Sequence, residues 1–123
     1  MKTIVFIFCL SLFSCSPTWA ETIGGYTVNE YVEAIYKAEG GRQARFPYGI
    51  RSVNCEGKKD CENIARNTVI NNFRRWKNSG KKVEYLQFLA NRYCPVNGKL
   101  DNGTCKNWEK NVTYFLEKNH GNN

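Results

Sequence analysis

Histidine is almost absent from this sequence, and its scarcity disfavours several kinds of chemistry. The one histidine among the 123 residues, His120, lies in the Asn/Gly-rich end of the chain. Mechanisms that need two histidines, a Ser–His–Asp triad or a His-rich metal site are therefore disfavoured. The sequence also lacks internal repeats, low-complexity stretches and recognised nucleic-acid-binding motifs. Any catalysis has to rest on carboxylates, hydroxyls, amides and cations.

The residues that are present are typical of one small folded domain. A length of 123 residues, 14% aromatic residues and charges of both signs argue against a disordered polymer. Lys and Arg outnumber Asp and Glu by 18 to 11, which gives a formal net charge of +7. This excess suits attraction to an anionic polymer or surface, although a solvated basic face is the simpler explanation.

The first twenty residues have the features of a secretory signal peptide. Met1-Lys2 is a short basic start, and the apolar run Thr3–Phe13 is too short to anchor a chain across a bilayer. Thr18-Trp19-Ala20 has the small residues of a cleavage site at its first and third positions. We therefore predict a signal peptide over residues 1–20 and export to the periplasm or the medium.

Lipid attachment is the alternative interpretation of this segment. Leu12-Phe13-Ser14-Cys15 resembles a bacterial lipobox, and lipidation of Cys15 would make the protein an exported lipoprotein. Both interpretations place the protein outside the cytoplasm. They also leave residues 21–123 as a single domain, in which we expect a flexible tail from about residue 119.

Export changes the meaning of the cysteines. Four of the six lie beyond the predicted signal peptide, namely Cys55, Cys61, Cys94 and Cys105. An oxidising compartment favours disulfides, and nearness in the sequence favours Cys55–Cys61 and Cys94–Cys105 among the three pairings. A tetrahedral zinc site is the alternative, which the spacing disfavours because neither pair is a C-x2-C knuckle. We therefore predict two disulfides and no metal.

Sequence patterns predict four helices. The first begins with the capping box Thr27-Val28-Asn29-Glu30 and ends at Gly40-Gly41. Apolar stripes predict three more, over about 60–77, over about 82–93 and from the N-cap Asn107. The turn-prone segment Pro47-Tyr48-Gly49-Ile50 predicts a short hairpin or an irregular loop after the first helix. Trp76 and Trp108, at helical spacing, are predicted to be core residues.

Glu39 occupies an unfavourable position for a charged residue. It lies in the last turn of a mostly apolar helix, where the helix dipole destabilises an anion by a few tenths to about 1 kcal/mol. Burial against nearby aromatic residues would raise its pKa further. A carboxyl group that keeps its proton near neutrality is what a general acid in glycoside cleavage requires. The alternative is a solvated glutamate beside a helix stop.

The segment Ala34–Ile50, AIYKAEGGRQARFPYGI, resembles the catalytic segment of the lysozyme-like superfamily, in particular lytic transglycosylases and phage-type endolysins. In that superfamily a Glu ends a buried helix, a small residue follows, and a Gly-containing aromatic strand comes later. Here those features are Glu39, Gly40 and Tyr48-Gly49-Ile50. Residues 88–95 and 107–112 are similar to the closing part of small secreted members. The usual Glu-Ser pair is Glu-Gly in this chain, and the Gly-Leu-Met-Gln run is missing.

The resemblance implies a mainly α, lysozyme-like α+β fold and a reaction on peptidoglycan. Glu39 would protonate the leaving oxygen of the β-1,4 bond between N-acetylmuramic acid and N-acetylglucosamine. Tyr48, Tyr93 and Gln43 would bind the sugar. The alternatives are core aromatics with surface hydroxyls for the two tyrosines and a plain loop amide for Gln43. No cofactor is expected. So small a cleft suggests a monomer that depends on a secretion, conjugation or other envelope-spanning apparatus for its position on the wall.

The number of catalytic carboxylates distinguishes two enzyme classes. Glycoside hydrolases use a pair of carboxyl groups. The candidates for a second one are Glu56, Asp60, Glu62 and Asp101, all of which resemble solvated loop or helix-start charges; Asp60 suits an N-cap. We therefore expect a lytic transglycosylase, in which Glu39 is the only catalytic carboxyl and the product carries a 1,6-anhydro end. A hydrolytic muramidase is the alternative.

Functions of other classes stay open. One is a secreted envelope-binding or inhibitor protein without enzymatic activity. Another is a cationic protein that disrupts membranes or binds nucleic acid, but the interspersed acids and missing motifs disfavour nucleic acid as a partner. A basic cluster near the end of the second helix suits attraction to an anionic cell-wall polymer or a membrane surface, although a solvated face is the simpler explanation. That basic cluster comprises Arg74, Arg75, Lys77, Lys81 and Lys82.

Overall fold

The computed structural model describes residues 22–51, 53–99 and 101–121. The predicted signal peptide and Cys15 lie outside the described residues. The described part contains four α-helices, which are α1 (Val28–Ala38), α2 (Gly57–Asn78), α3 (Tyr85–Tyr93) and α4 (Trp108–His120). The predicted mainly helical fold with two disulfides is confirmed. None of the described helices combines the length and the apolar character needed to cross a bilayer.

A small antiparallel sheet precedes the first helix. Strands β1 (Thr22–Ile23) and β2 (Tyr26–Thr27) pair with Ile23 opposite Tyr26. Gly24 and Gly25 form the two-residue turn with φ values of 60° and 90°, a left-handed conformation that glycine adopts without a steric penalty. The sequence patterns above did not predict this hairpin.

The segment after α1 is the irregular loop that was one of the two predicted outcomes. It contains two short 3₁₀ turns, Gly41–Gln43 and Pro47–Gly49, and no described strand. Pro47 fixes the start of the second turn, and Tyr48 and Gly49 both have positive φ. The loop therefore turns sharply and passes beside the end of α1.

Helix α1 is the central element of the core. The predicted capping box is present: the Thr27 side chain accepts from the Glu30 N–H, and the Glu30 side chain accepts from the Thr27 N–H, each at 3.1 Å. Apolar residues at helical spacing bury one side of α1, which packs mainly against α4 and also against α2. These buried residues are Val28, Tyr31, Val32, Ala34 and Ile35.

Two helix starts differ from the prediction. Helix α2 begins at Gly57 rather than near Asp60, and Asp60 is not the N-cap but lies in the first turn. Its Oδ2 instead accepts from the N–H of Glu56, the residue at the N-cap position, at 2.8 Å. Helix α3 begins at Tyr85 rather than near residue 82, because α2 ends in a left-handed turn at Gly80 and Lys81.

Both ends of α4 differ from what the sequence pattern predicts. Asn107 occupies the predicted N-cap position, but its side chain makes no capping hydrogen bond. The segment expected as a flexible tail from about 119 begins inside α4. Asn119 accepts from the Lys37 ammonium at 2.8 Å, and Nδ1 of His120 lies 2.8 Å from Oε2 of Glu30.

Both predicted disulfides form. Cys55–Cys61 connects the irregular loop to the start of α2, and Cys94–Cys105 connects the end of α3 to the 3₁₀ turn before α4. Because all four cysteines are bonded in pairs, the alternative zinc site is excluded. The second bridge ties the residue after Tyr93 to a residue three positions before Trp108, which brings the ends of α3 and α4 together.

Candidate active site

Glu39 ends helix α1 as its C-cap residue. Its N–H still donates to the Ile35 carbonyl at 2.9 Å, and Gly40 then leaves the helix with φ of 107°. Such a left-handed residue is a common helix stop, and glycine supplies it at low cost. The carboxyl group of Glu39 is therefore held at the negative end of the helix dipole.

Trp108 is the hydrogen-bond partner of this carboxyl group. Its Nε1 donates to Oε1 of Glu39 at 2.7 Å, and only 5% of Trp108 is exposed. An indole N–H is a donor without acceptor capacity, so a buried tryptophan needs an acceptor nearby. As predicted, Trp108 is a core residue, but it also fixes the position of the Glu39 carboxyl.

Gly49 lets the backbone of the irregular loop approach the same carboxyl. A Cβ atom at this position would lie 2.5 Å from Oε1 and 2.6 Å from Cδ of Glu39. Its φ of 69° is also unfavourable for a residue with a side chain. The glycine is required both by its backbone conformation and by the space that Glu39 occupies.

The environment raises the pKa of Glu39. Burial is the largest cause, because it disfavours the charged form. The hydrogen bond from Trp108 and the positive charge of Arg51 act in the opposite direction and lower the pKa, but the net direction is upward. The site can therefore hold a proton at higher pH than an exposed glutamate and still stabilise the carboxylate after the proton has left.

Tyr93 lies beside this pair. Its ring stacks on Trp108 with centroids 5.2 Å apart and planes 18° apart. Its hydroxyl is buried and has no hydrogen-bond partner among the described residues. Burial, followed by the nearby Glu39 carboxyl, raises the pKa of Tyr93, so its hydroxyl stays protonated. A buried donor without a partner is rare in folded proteins. Substrate binding by Tyr93 stays a prediction.

Tyr48, which was predicted to bind sugar, is a buried residue. It is 1% exposed, and its ring lies 5.0 Å from that of Tyr36. Burial raises its pKa to about 12. Its φ of 57° is costly for a residue with a side chain. This buried, strained residue directs the chain into Gly49 and presents no ring face to a sugar, so substrate binding by Tyr48 stays a prediction without geometric support.

Gln43, the other residue predicted to bind sugar, has no hydrogen bond to the Glu39 carboxyl among the described residues. It is exposed at the end of the first 3₁₀ turn, and its backbone N–H donates to the Gly40 carbonyl at 3.3 Å. No hydrogen bond in the described part joins its side chain to Glu39, Trp108 or Tyr93. A sugar contact by Gln43 stays a prediction.

Three of the four candidates for a second catalytic carboxylate bond to groups close to them in the sequence, and the fourth is exposed. Asp60 accepts from the Glu56 N–H, and Glu62 pairs with Arg66 at 3.2 Å. Asp101 organises its loop by accepting backbone N–H groups of Asn97, Gly103 and Cys105, which lower its pKa. Glu56 is exposed at the start of α2. Of these four, none is among the groups that shift the pKa of Glu39.

Two surface concavities lie near α1, and neither includes Glu39. One, of about 570 Å³, lies between α1, α2 and the end of α4 and is lined in part by Lys37, Arg66 and Asn119. The other, of about 330 Å³, lies beside the Cys55–Cys61 disulfide.

Sequence reasoning missed the partners that set the properties of Glu39. Trp108 was expected in the core, and neither Gly49 nor Arg51 was singled out as a neighbour of the carboxyl. One usable signal was the indole itself, because a buried Trp needs an acceptor. Another was the Tyr48-Gly49 dipeptide, since a glycine in a tight loop often marks a close backbone approach. Neither signal identifies the acceptor or the approaching group.

Comparisons with family models, curated proteins and solved structures found no match to this chain. Among the described residues, no group of three or more His, Cys, Asp or Glu side chains is arranged to hold a metal ion.

Proposed function

We propose that the protein is a peptidoglycan lytic transglycosylase that cleaves the bond between N-acetylmuramic acid and N-acetylglucosamine. The observation that carries the proposal is the environment of Glu39, whose buried carboxyl has a raised pKa and accepts from the Trp108 indole at 2.7 Å. The resemblance of residues 34–50 to lysozyme-like enzymes supports the same assignment. A general acid near neutrality needs such an environment.

The first step uses Glu39 as the acid. Its proton passes to the glycosidic oxygen while the bond from that oxygen to C1 of the muramic acid residue breaks. The N-acetylglucosamine leaves as an alcohol, and Glu39 becomes a carboxylate. The Trp108 N–H and the Arg51 charge both stabilise this carboxylate, as the direction of their effects on the pKa indicates.

In the second step the carboxylate acts as the base. It takes the proton from the C6 hydroxyl of the muramic acid residue, whose oxygen forms a bond to C1. The product end is a 1,6-anhydro sugar, and Glu39 regains its proton. No water is consumed, so the atoms balance with one carboxyl group. The local bonds of Asp60, Glu62 and Asp101 favour this scheme over a retaining hydrolase, which needs a second carboxylate close by.

Phe46 is an exposed aromatic residue on the loop that passes beside Glu39, and we infer that it binds sugar. It is 38% exposed, and its carbonyl accepts from the Gly49 N–H at 2.9 Å. The Arg51 guanidinium lies 5.2 Å from its ring centre, and the same cation lowers the pKa of Glu39. Arg51 therefore lies near both the exposed Phe46 ring and the proposed acid, Glu39. The flat apolar face of a sugar ring packs well on such an aromatic surface.

The direct test is digestion of purified sacculi. We expect the wild-type protein to release soluble muropeptides and Glu39→Gln to release almost none. Glu117→Gln is the matched control, because it removes an exposed carboxylate on α4 and should digest sacculi like the wild type. Circular dichroism confirms that all three proteins are folded.

Product masses identify the reaction. Anhydro ends, lighter by one water than reducing ends, support a transglycosylase; reducing ends from an enzyme that needs Glu39 would assign the hydrolytic muramidase instead. If the wild type and Glu39→Gln were equally inert, the enzyme proposal would be wrong and the non-enzymatic envelope-binding alternative would replace it.

A further inference from the structure

The net charge of the domain is concentrated in one segment. Residues 63–83 contain six Lys and Arg residues and no Asp or Glu. The rest of the region from 21 to 123 contains eleven of each sign and is formally neutral. The whole positive excess therefore comes from residues 63–83, which are most of α2 and the loop after it.

Five of these six cations form the basic cluster, and all five are exposed. The sixth, Arg66, pairs with Glu62 at 3.2 Å and also donates to Asn29. No ion pair neutralises any member of the basic cluster within the described residues. The dipole of α2 accounts for some preference for cations in its last turn, but Lys81 and Lys82 lie beyond the helix.

The backbone fixes the position of Lys81. Helix α2 ends with Gly80 N–H donating to the Lys77 carbonyl and Lys81 N–H donating to the Trp76 carbonyl, a Schellman arrangement. Lys81 itself has φ of 56°, which is costly for a residue with a side chain. This turn places its ammonium 5.3 Å from the centre of the Trp76 ring. Lys77 lies similarly, 4.4 Å from the centre of Phe73.

We propose that the basic cluster binds the peptidoglycan polymer through the carboxylates of its stem peptides. This surface, which is separate from the cleavage site, would hold the enzyme on the wall. This inference rests on the proposed function. Exposed cations without an ion-pair partner, spread over a helix end, suit a flexible polymer with repeated negative charges, because each contact releases counterions. The cluster has no contact with Glu39 among the described residues, so binding and cleavage are separable.

The surroundings of the cluster favour a hydrated polymer over a lipid bilayer. The Phe73 and Trp76 rings stack on each other at 5.9 Å and pack edge-on against Tyr85, so they face the protein. Val83, 39% exposed, is the large apolar side chain that this region presents to solvent. Membrane-surface helices need a much larger apolar face for insertion.

The test measures binding without cleavage. Glu39→Gln is mixed with purified sacculi at increasing salt, and the bound fraction is measured after sedimentation. The cluster variant adds Arg74→Gln, Arg75→Gln, Lys77→Gln and Lys82→Gln. The matched control instead adds Lys59→Gln, Lys99→Gln, Lys106→Gln and Lys110→Gln, which removes the same charge at exposed positions elsewhere. Thermal unfolding of each protein confirms that it is folded.

We expect the cluster variant to bind sacculi about tenfold or more weakly at low salt and with a shallower salt dependence, and the control to bind like its parent. Equal binding by the two variants would overturn the proposal. So would cluster-dependent binding to vesicles of phosphatidylglycerol and phosphatidylcholine, or to duplex DNA, without binding to sacculi.

Cleavage is measured separately on short peptide-free glycan strands. The cluster variant in the wild-type background should cleave these as well as the wild type does. If the cluster variant failed to cleave these strands while the wild type cleaved them, the claim that binding and cleavage are separate would be overturned. If the wild type itself is inert on them and on sacculi, the proposed function fails, whereas the sedimentation result still decides whether the basic cluster binds the wall.

Discussion

Nε1 of Trp108 donates a 2.7 Å hydrogen bond to Oε1 of Glu39, which joins the start of the last helix to the end of the first across 69 residues of sequence. The bond stabilises the charged carboxyl, whereas burial destabilises it. Together with the charge of Arg51, the balance between these two effects determines the pH range in which Glu39 can donate a proton.

Replacing Glu39 with glutamine should stabilise the protein near neutral pH. Burial raises the folded-state pKa above the ordinary value of 4.5. The stability linked to the protonated carboxyl is therefore complete below that value and is lost as the pH rises through the folded-state pKa. Each unit of raised pKa corresponds to about 1.4 kcal/mol at pH values above both pKa values. Glutamine does not titrate, so the free energy of unfolding of the Glu39→Gln variant should not show this loss.

The measurement is urea unfolding of the wild type and Glu39→Gln at pH 4 and pH 7. We expect the variant to gain stability relative to the wild type between these pH values. Glu117→Gln, at an exposed position, should show little change in that difference. The raised pKa would be contradicted if the unfolding free energy of Glu39→Gln, compared with that of the wild type, were lower at pH 7 than at pH 4.

Replacing Trp108 with phenylalanine should raise the pKa of Glu39 further, because the hydrogen bond that lowers it is removed. Carbon-13 NMR titration of the Glu39 carboxyl measures this directly. Stability should fall by about 1.5–3 kcal/mol, the usual range for a hydrogen bond to a charged group. Trp76→Phe is the control: its Nε1 donates to the Val83 carbonyl, so the titration of Glu39 should not move. An unchanged Glu39 titration in Trp108→Phe would refute the assigned role.

Replacing Gly49 with alanine should disrupt the site. The new Cβ would lie 2.5 Å from Oε1 of Glu39, and the residue would keep an unfavourable positive φ. We expect a loss of about 2–5 kcal/mol in unfolding free energy and most of the activity. Gly57→Ala also has positive φ, 78°, but nothing lies within 4 Å of its Cβ, so it should lose only about 1–2 kcal/mol. If Gly49→Ala and Gly57→Ala lost the same unfolding free energy in chemical denaturation, the close contact between Gly49 and Glu39 would be wrong.

Replacing Tyr93 with phenylalanine should lower activity without lowering stability. The hydroxyl is buried and unpartnered among the described residues, so its removal should leave stability unchanged or raise it by up to about 1 kcal/mol. Activity on sacculi should fall several-fold if this hydroxyl binds substrate. The comparison is Tyr85→Phe, whose hydroxyl donates to the Val69 carbonyl at 2.8 Å and whose loss should cost about 1 kcal/mol. Full activity in Tyr93→Phe would remove Tyr93 from the substrate contacts.

Replacing Phe46 with alanine should weaken substrate binding. Loss of one aromatic contact of about 1 kcal/mol corresponds to roughly a fivefold rise in KM for soluble glycan strands, with kcat little changed. Tyr114→Ala is the control, because Tyr114 is 56% exposed on α4. A normal KM in Phe46→Ala would place the sugar elsewhere on the loop.

Several features of the fold could be predicted because their signals are local. The Thr27–Glu30 capping box involves groups three residues apart, and both of its hydrogen bonds form. The two disulfides close short loops, so sequence proximity identified the pairs. Helix α2 began earlier than expected because a hydrogen bond from the Glu56 backbone to Asp60 extends the first turn, and apolar periodicity does not detect such a bond.

The sequence by itself determined that the chain is mainly helical, that its four later cysteines pair in order, and that Glu39 stands at the end of the first helix. Each of these follows from interactions within a few residues or from short loops. The tertiary structure alone decided that Tyr48 is buried, that Gly49 faces the Glu39 carboxyl and that Trp108 donates to it. Those contacts depend on how helices pack across the whole domain, and the burial that raises the pKa of Glu39 exists only after that packing has formed.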